Sequence, residues 1–327
     1  MDLELTPDQT GLQEAVRKLA EGRFPRDRVR ALADRPGAVD RELWRELADL
    51  GVFSLRLPEA DGGIGLGWAD AALVFEELGR ALVPGPLVWA HLAAGVVEGA
   101  ATGAVVVGGM ERDDGAGLVE HLDALDTLVV LDDGGIWRVD PSEVEADPVA
   151  VPLDPLTPVH RVTRLSQGER LAGAETAVEW RTAGAALASA FLLGLADEAT
   201  TLAVGYARER RQFDRPIGSF QAVKHLLADM VVRVEVARAA VYAAGVTLDQ
   251  PDVGPPARAV AAAKVCAADA AVGNAKTCVQ VHGGMGFTWE VDAHLFLKRA
   301  YALEPVFGSR DEHADVMAGF LEDATTI

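Results

Sequence analysis

Residues 182–196 read TAGAALASAFLLGLA, a run without a single charged side chain. No other segment constrains the fold as strongly, because this one has to be taken out of water. At about 15 residues it is short for a membrane span, which takes about 20. The run therefore predicts a helix buried in the core of a globular protein. Residues 257–281 are rich in alanine, and Val260, Lys264, Ala267, Ala271, Asn274 and Cys278 fall on one line at helical spacing. Small residues on such a line let helices pack closely. Residues 220–242 keep the same period through Val223, Leu226, Leu227, Met230, Val234, Ala237 and Val241,. Together these segments predict a tight C-terminal helical bundle.

The first hundred residues also carry helix signals. Thr6-Pro7-Asp8-Gln9 combines a capping threonine, a proline suited to the first helical position and a glutamine that completes a capping box,. Leu12, Val16 and Leu19 mark the face of that helix. Asp40 can cap a second helix, with Leu43, Trp44, Leu47 and Leu50 on its face and Gly51 closing it,. The glycine-rich stretch 58–67 is a loop, and 68–80 is helical again. Composition changes near 104. The segments AVVVGG (104–109), TLVVL (127–131), GIWRV (135–139) and HRVTRL (160–165) are short and rich in Val, Ile, Leu and Thr, with turn residues at 132–135 and 155–158,. The fold class is therefore α+β and mostly α. Its parts are an N-terminal helical domain (1–103), a small β domain (104–174) and a C-terminal bundle (175–327).

The chain has 327 residues and a formal net charge of −20, from 50 acids against 30 bases. A surface that acidic repels nucleic acid and anionic membrane, so neither is expected as a partner. The start, MDLELTPDQT, lacks the basic and apolar regions of a signal peptide,. Cys266 and Cys278, on one helix, would lie about 18 Å apart, beyond disulfide reach. Free thiols suit a cytoplasmic location.

Several motifs imitate chemistry without supporting it. GGIGLG (62–67) resembles a phosphate loop but has helices on both sides rather than a preceding strand,. The chain has no HExxH, no CxxC and no GxSxG,. DEHAD (311–315) reads as a solvated helix start, and no metal is expected. Two segments stand out. RERRQFDRPIGSFQAVKHLLAD (208–229) concentrates four arginines and a lysine in an otherwise acidic chain, with Phe213 inside the basic run and Ser219 placed to cap the next helix. Arginine forks and helix N-termini suit phosphate groups, while a solvated basic turn would carry the same residues. QVHGGMGFTWE (280–290) has three glycines within four residues, which allow either a tight turn or close approach to a ligand,.

In this order and at this separation, the two segments resemble the acyl-CoA dehydrogenase family. RRQFDRPIGSFQAVKHLLADM is similar to its arginine–aromatic signature and QVHGGMGFTWEVDAHLFLKRAY to its glycine signature. LWRELADLGVFSLRLPEADGGIGLG, followed by FEELGRALVPGPL, is similar to its N-terminal helical domain. The resemblance covers nearly the whole chain. It implies the acyl-CoA dehydrogenase fold with a C-terminal four-helix bundle, FAD as cofactor and an acyl-CoA thioester as substrate. In that chemistry a carboxylate removes the α proton and the flavin accepts hydride from the β carbon. It further implies an FAD site shared between subunits, with Arg210, Gln212, Phe213, Ile217 and Phe220, and Gln280, Gly283 and Gly284, holding the adenine–pyrophosphate end of the neighbour's cofactor. Asp214 stands where the family usually has glycine.

Two departures bear on function. The β domain is short and lacks the family's Thr-Glu-Pro, Gly-Ser-Asp and hydroxyl-flanked tryptophan elements, Trp137 standing alone in GIWRV. The family's catalytic glutamate would fall at Phe307, before Gly308 in EPVFGSR, and its alternative site falls near Gly184. Neither residue is acidic. The sequence therefore resembles the short subunit of heteromeric, steroid side-chain type acyl-CoA dehydrogenases. That resemblance implies a base-lacking half-site that pairs with a homologous catalytic subunit as an α2β2 heterotetramer. Two other readings stay open. One is a homo-oligomeric enzyme with Glu304 or Glu290 as a displaced base, and the other is a non-catalytic FAD or acyl-CoA binding protein.

Overall fold

The computed structural model describes residues 4–33, 39–112 and 117–325. Five helices come first: α1 (Pro7–Arg23), α2 (Arg26–Ala33), α3 (Arg41–Asp49), α4 (Trp68–Arg80) and α5 (Leu87–Ala93). Seven strands follow: β1 (Val107–Glu111), β2 (Leu118–Glu120), β3 (Thr127–Asp132), β4 (Gly135–Val139), β5 (Glu145–Pro148), β6 (Val159–Arg164) and β7 (Glu169–Gly173). The C-terminal part holds α6 (Ala174–Glu209), a hairpin of β8 (Arg211–Gln212) and β9 (Arg215–Pro216), α7 (Gln221–Asp249), α8 (Pro256–His282), α9 (Ala293–Leu303) and α10 (Arg310–Thr325). This is the α+β, mostly helical architecture expected. By contacts the chain divides into two units. One contains 1–26, 72–83 and 185–327, the other 27–71 and 84–184.

Within the first unit, α4 and α6 cross backbone to backbone. A Cβ on Gly79 would lie 2.1 Å from the Phe191 carbonyl oxygen, and one on Gly194 would lie 1.9 Å from that of Glu76. Every residue of α4 from Ala72 to Gly79 and of α6 from Ala185 to Ala196 is buried. The uncharged run thus sits in the core. By length and hydropathy α6 could cross a membrane, but 72% of its most apolar window is buried inside the protein, which marks a core helix. Burial on all sides takes Glu76 and Glu77 out of water, so both need cations. Arg17 holds Glu77 through two bonds of 2.7 and 2.9 Å, and Arg238 and the Tyr242 hydroxyl hold Glu76. Arg80 and Arg238 both reach Asp197, and Arg26 reaches Glu198 at 2.7 Å. Burial would raise the Asp197 pKa, but the two guanidiniums hold it below the usual range.

The bundle lines up as the alanine spacing predicts: Val260, Lys264, Ala267, Ala271, Asn274 and Cys278 are all buried, and α8 packs on α7, α9 and α10. Asn274 ties three helices, donating to Thr200 Oγ1 and the Met230 carbonyl. Two expectations need correction. Of the seven apolar α7 positions read at helical spacing, Met230, Val234, Ala237 and Val241 are buried, Val223 and Leu227 are half-buried and Leu226 is 37% exposed, because α7 carries apolar residues on more than one face. Ser219 does not cap α7. Its hydroxyl donates to the Pro216 carbonyl inside a short 3-10 turn, and α7 starts after Phe220.

In the second unit, β1, β3, β4 and β7 form one sheet, with β1 and β3 parallel, and β2, β6 and β5 form another. The β1 glycines have a packing reason: a Cβ on Gly109 would lie 2.2 Å from the Trp89 ring of α5. Asp40 caps α3 and Thr6 forms the capping box of α1, as read from sequence. His91 Nδ1 donates to the Val52 carbonyl at 2.8 Å, and burial pushes the imidazole down to about 4, so it is neutral at neutral pH.

The crossing predicts opposite outcomes for two glycines of α6. Gly194→Ala should lower stability by about 3 kcal/mol, because neither backbone can move aside. Gly205→Ala, with nothing within 4 Å of the new methyl group, should raise stability by about 1 kcal/mol through helix propensity. Denaturant unfolding of the two variants checks both signs.

Candidate functional site

The basic segment folds as a hairpin at the end of α6. The Arg210 amide donates to the Tyr206 carbonyl and the Ile217 amide to the Arg210 carbonyl, each at 2.8 Å. Arg211–Gln212 pairs with Arg215–Pro216 across a two-residue turn, Phe213-Asp214. Both turn residues are left-handed, with φ of 51° and 62°. The pair matches the twist of a hairpin but is strained for an aromatic residue. The second left-handed position is Asp214, a residue type that tolerates this conformation. Phe213 is 87% exposed and meets Phe220 edge-on at 6.1 Å. The Arg215 guanidinium lies 4.0 Å above the Phe220 ring. Arg210 and Gln212 are exposed, and Ile217 and Phe220 are half-buried.

The glycine segment is a 3-10 turn, Gly283–Phe287, directly after α8. Gly283 has φ of 64°, and neither Gly283 nor Gly284 has an atom within 4 Å of where a Cβ would sit. Their backbone is open to a ligand. Gly286 is glycine for a different reason, because a Cβ there would lie 2.6 Å from the Val279 carbonyl oxygen. Gln280 is exposed. Tyr206, missed in the sequence reading, brings the two segments together. Its ring stacks on His282 at 4.2 Å, and its hydroxyl lies 3.9 Å from the Met285 sulfur. The structure thus gathers the eight residues at two adjoining ends, α6 to hairpin and α8 to turn, all on the surface of the unit.

The turn between α9 and α10 is closed. Phe307 is 4% exposed and left-handed, with φ of 56°, and Gly308 follows at 90°. Lys264, fully buried on α8, donates to the Val306 carbonyl, and His313 Nε2 lies 2.9 Å from the Phe307 carbonyl oxygen. Burial lowers the His313 pKa, so the neutral ring donates through Nε2–H. Glu304 is committed as well, its carboxylate accepting the Arg310 amide at 2.7 Å at the start of α10. Glu312 accepts from the Ser309 amide and hydroxyl. Glu290 is exposed. DEHAD is the first turn of α10, and no metal-holding group of His, Cys, Asp or Glu occurs among the described residues. Lys264 was legible only as one member of an otherwise apolar line. Its spacing gave no sign that it anchors a turn 42 residues away.

The β unit has a cavity of about 150 Å³ beside Arg112, Asp132, Trp137, Ser166 and Gly168. One oxygen of Asp132 accepts from Trp137 Nε1 and from the Gly134 and Gly135 amides. Burial opposes ionisation, but these donors hold the carboxyl below its usual range. The cavity is well short of the roughly 300 Å³ at which ligand pockets begin.

Residues 6–104 match the family described as acyl-CoA dehydrogenase, N-terminal domain, and residues 172–321 match acyl-CoA dehydrogenase, C-terminal domain. The chain is 33% identical to the acyl-CoA dehydrogenase IpdE2 of Mycolicibacterium smegmatis, covering 91% of this chain and 93% of that one. It is 36% identical to IpdE2 of Mycobacterium tuberculosis, covering 89% and 90%. The crystal structure of the ChsE4-ChsE5 complex from Mycobacterium tuberculosis matches with a TM-score of 0.85 at 25% identity, over 98% of this chain and 99% of that chain.

Lys264→Met should destabilise the protein by about 2 kcal/mol, because it leaves the Val306 carbonyl without its donor. Thermal unfolding measures the loss. Hydrogen exchange should localise the loosening to residues 304–313.

Proposed function

The chain belongs to the acyl-CoA dehydrogenase family, and from that premise we propose that it is the base-lacking half of a heteromeric, FAD-dependent acyl-CoA dehydrogenase. One observation carries the proposal: where the family resemblance puts the proton-abstracting carboxylate, this chain has Phe307, a buried side chain without an ionisable group. A general base must reach the proton it removes, and the nearest alternative, Glu304, spends its carboxylate on the start of α10. Similarity to a chain of the ChsE4-ChsE5 complex favours a heteromer, here an α2β2 heterotetramer with a homologous catalytic subunit.

The residues present fit one end of FAD. The exposed guanidinium of Arg210 and the open backbone of Gly283 and Gly284 suit a diphosphate,. Gln212, Phe213, Ile217, Phe220 and Gln280 complete the surface offered to the adenine–pyrophosphate end. When bound, FAD supplies hydride acceptance for α,β-desaturation of an acyl-CoA thioester. This chain's own part is to hold the cofactor tail by charge and hydrogen bonds. Proton removal and activation of the thioester fall to the partner. The cavity beside Trp137 is too small for a flavin ring. The role places the chain in lipid metabolism, in fatty acid or steroid breakdown. Free thiols at Cys266 and Cys278 suit the cytoplasm,.

The test is made on the complex with the homologous subunit. Arg210→Ala should weaken FAD retention at least about tenfold, the loss of one charge-assisted contact of roughly 1.5–3 kcal/mol. Glu304→Gln and Glu290→Gln should leave the rate of acyl-CoA oxidation unchanged. A rate that collapses in either glutamine variant would identify a displaced base and overturn the proposal.

A further inference from the structure

The charges of the hairpin are not spent on the chain itself. In a protein with 50 acids, Arg208, Arg210, Arg211 and Arg215 make no ion pair with a carboxylate among the described residues. Arg211 Nη2 donates to the Asp214 carbonyl oxygen at 2.5 Å instead, and the Arg215 guanidinium lies over the Phe220 ring at 4.0 Å. Asp214, the one acid between β8 and β9, is in the same state. It is exposed, and among the described residues its carboxylate takes no hydrogen bond and no ion pair, although arginines flank it at 211 and 215.

The turn does not require this charge. At φ of 62°, glycine or asparagine would hold the second turn position as well as aspartate does,. A negative side chain on a basic hairpin opposes an anion bound there. With no partner in the chain, the carboxylate is left to act on the ligand.

Two adenine nucleotides take part in acyl-CoA oxidation. FAD and coenzyme A both carry an adenosine 5′-diphosphate, and they differ at its ribose. The ribose hydroxyls of FAD are free, whereas the ribose of coenzyme A bears a 3′-phosphate. Guanidiniums and open glycine backbone answer the diphosphate, which the two molecules share, and so do not tell them apart. A carboxylate does. It accepts a hydrogen bond from a free ribose hydroxyl and repels a ribose phosphate, as acidic residues do in dinucleotide sites that take the unphosphorylated ribose.

We propose that Asp214 is a specificity residue of the cofactor-tail site, admitting an adenosine diphosphate with free ribose hydroxyls and rejecting one with a phosphorylated ribose. Resting on the half-site reading above, it keeps the tail site for FAD in the presence of the acyl-CoA substrate.

The test uses the complex with the homologous subunit and follows displacement of FAD by flavin fluorescence, with ADP and 3′-phospho-ADP as competitors. In the wild type, ADP should compete at least about tenfold better than 3′-phospho-ADP. Asp214→Asn keeps a residue that tolerates the left-handed turn, and circular dichroism and the thermal midpoint verify the fold. In this variant 3′-phospho-ADP should gain about tenfold while ADP changes little, so that the two compete about equally. A wild type that binds both equally, or an asparagine variant that strengthens both by the same factor, would overturn the proposal, the second because it reveals only a general charge effect. The half-site reading fails differently: if neither nucleotide displaces FAD and Arg210→Ala leaves FAD retention unchanged, the tail site itself is refuted and the role of Asp214 with it.

Discussion

The close crossing of α4 and α6 sets the terms for the first unit. Gly79 and Gly194 let the two backbones touch, with no room for a methyl group on either side. That contact buries α4 on every side and takes Glu76 and Glu77 out of solvent with it. Ionised carboxylates in that position are tolerated only when paired. The pairs come from Arg17 of α1, Arg80 of α4 and Arg238 of α7, with Asp197 of α6 taking the remaining reach of both Arg80 and Arg238. Four helices are thereby held in one register. Buried ion pairs of this kind add little net stability and lose much when one member is removed. Their consequence here is geometric, because α6 and α7 carry the two ends of the arginine hairpin.

The turn at 304–309 follows the same logic of fixed geometry. It keeps two successive left-handed residues, a costly conformation for phenylalanine,. Side chains from two helices hold its carbonyls, Lys264 on Val306 and His313 on Phe307. Phe307 is packed into the unit and offers no group that could take up a proton.

Some of this was legible in the sequence because its causes are local. The Thr6 and Asp40 caps depend on residues within three positions, and the α8 line depends on helical spacing alone. Strands β1, β3, β4 and β6 announced themselves through β-branched runs. Strands β2, β5 and β7 did not, because Leu118–Glu120 is only three residues long and Glu145–Pro148 and Glu169–Gly173 contain no β-branched or aromatic residue. The ion-pair network was invisible for another reason. Arg238 and Glu76 are 162 positions apart, and Arg26 and Glu198 are 172 apart. No spacing rule connects them. The eight residues proposed for the cofactor tail come from motif resemblance rather than from spacing or periodicity. The structure adds Tyr206 as the link between the two motifs and Lys264 as the anchor beneath the third.

The central claim is that this chain lends a cofactor-tail site and performs no proton abstraction of its own. Flavin stoichiometry tests it most directly. The chain purified alone should carry no bound FAD and oxidise no acyl-CoA, whereas the complex with its homologous subunit should be yellow, with the flavin bleached anaerobically by acyl-CoA. Stoichiometric FAD and turnover in the chain alone would contradict the account.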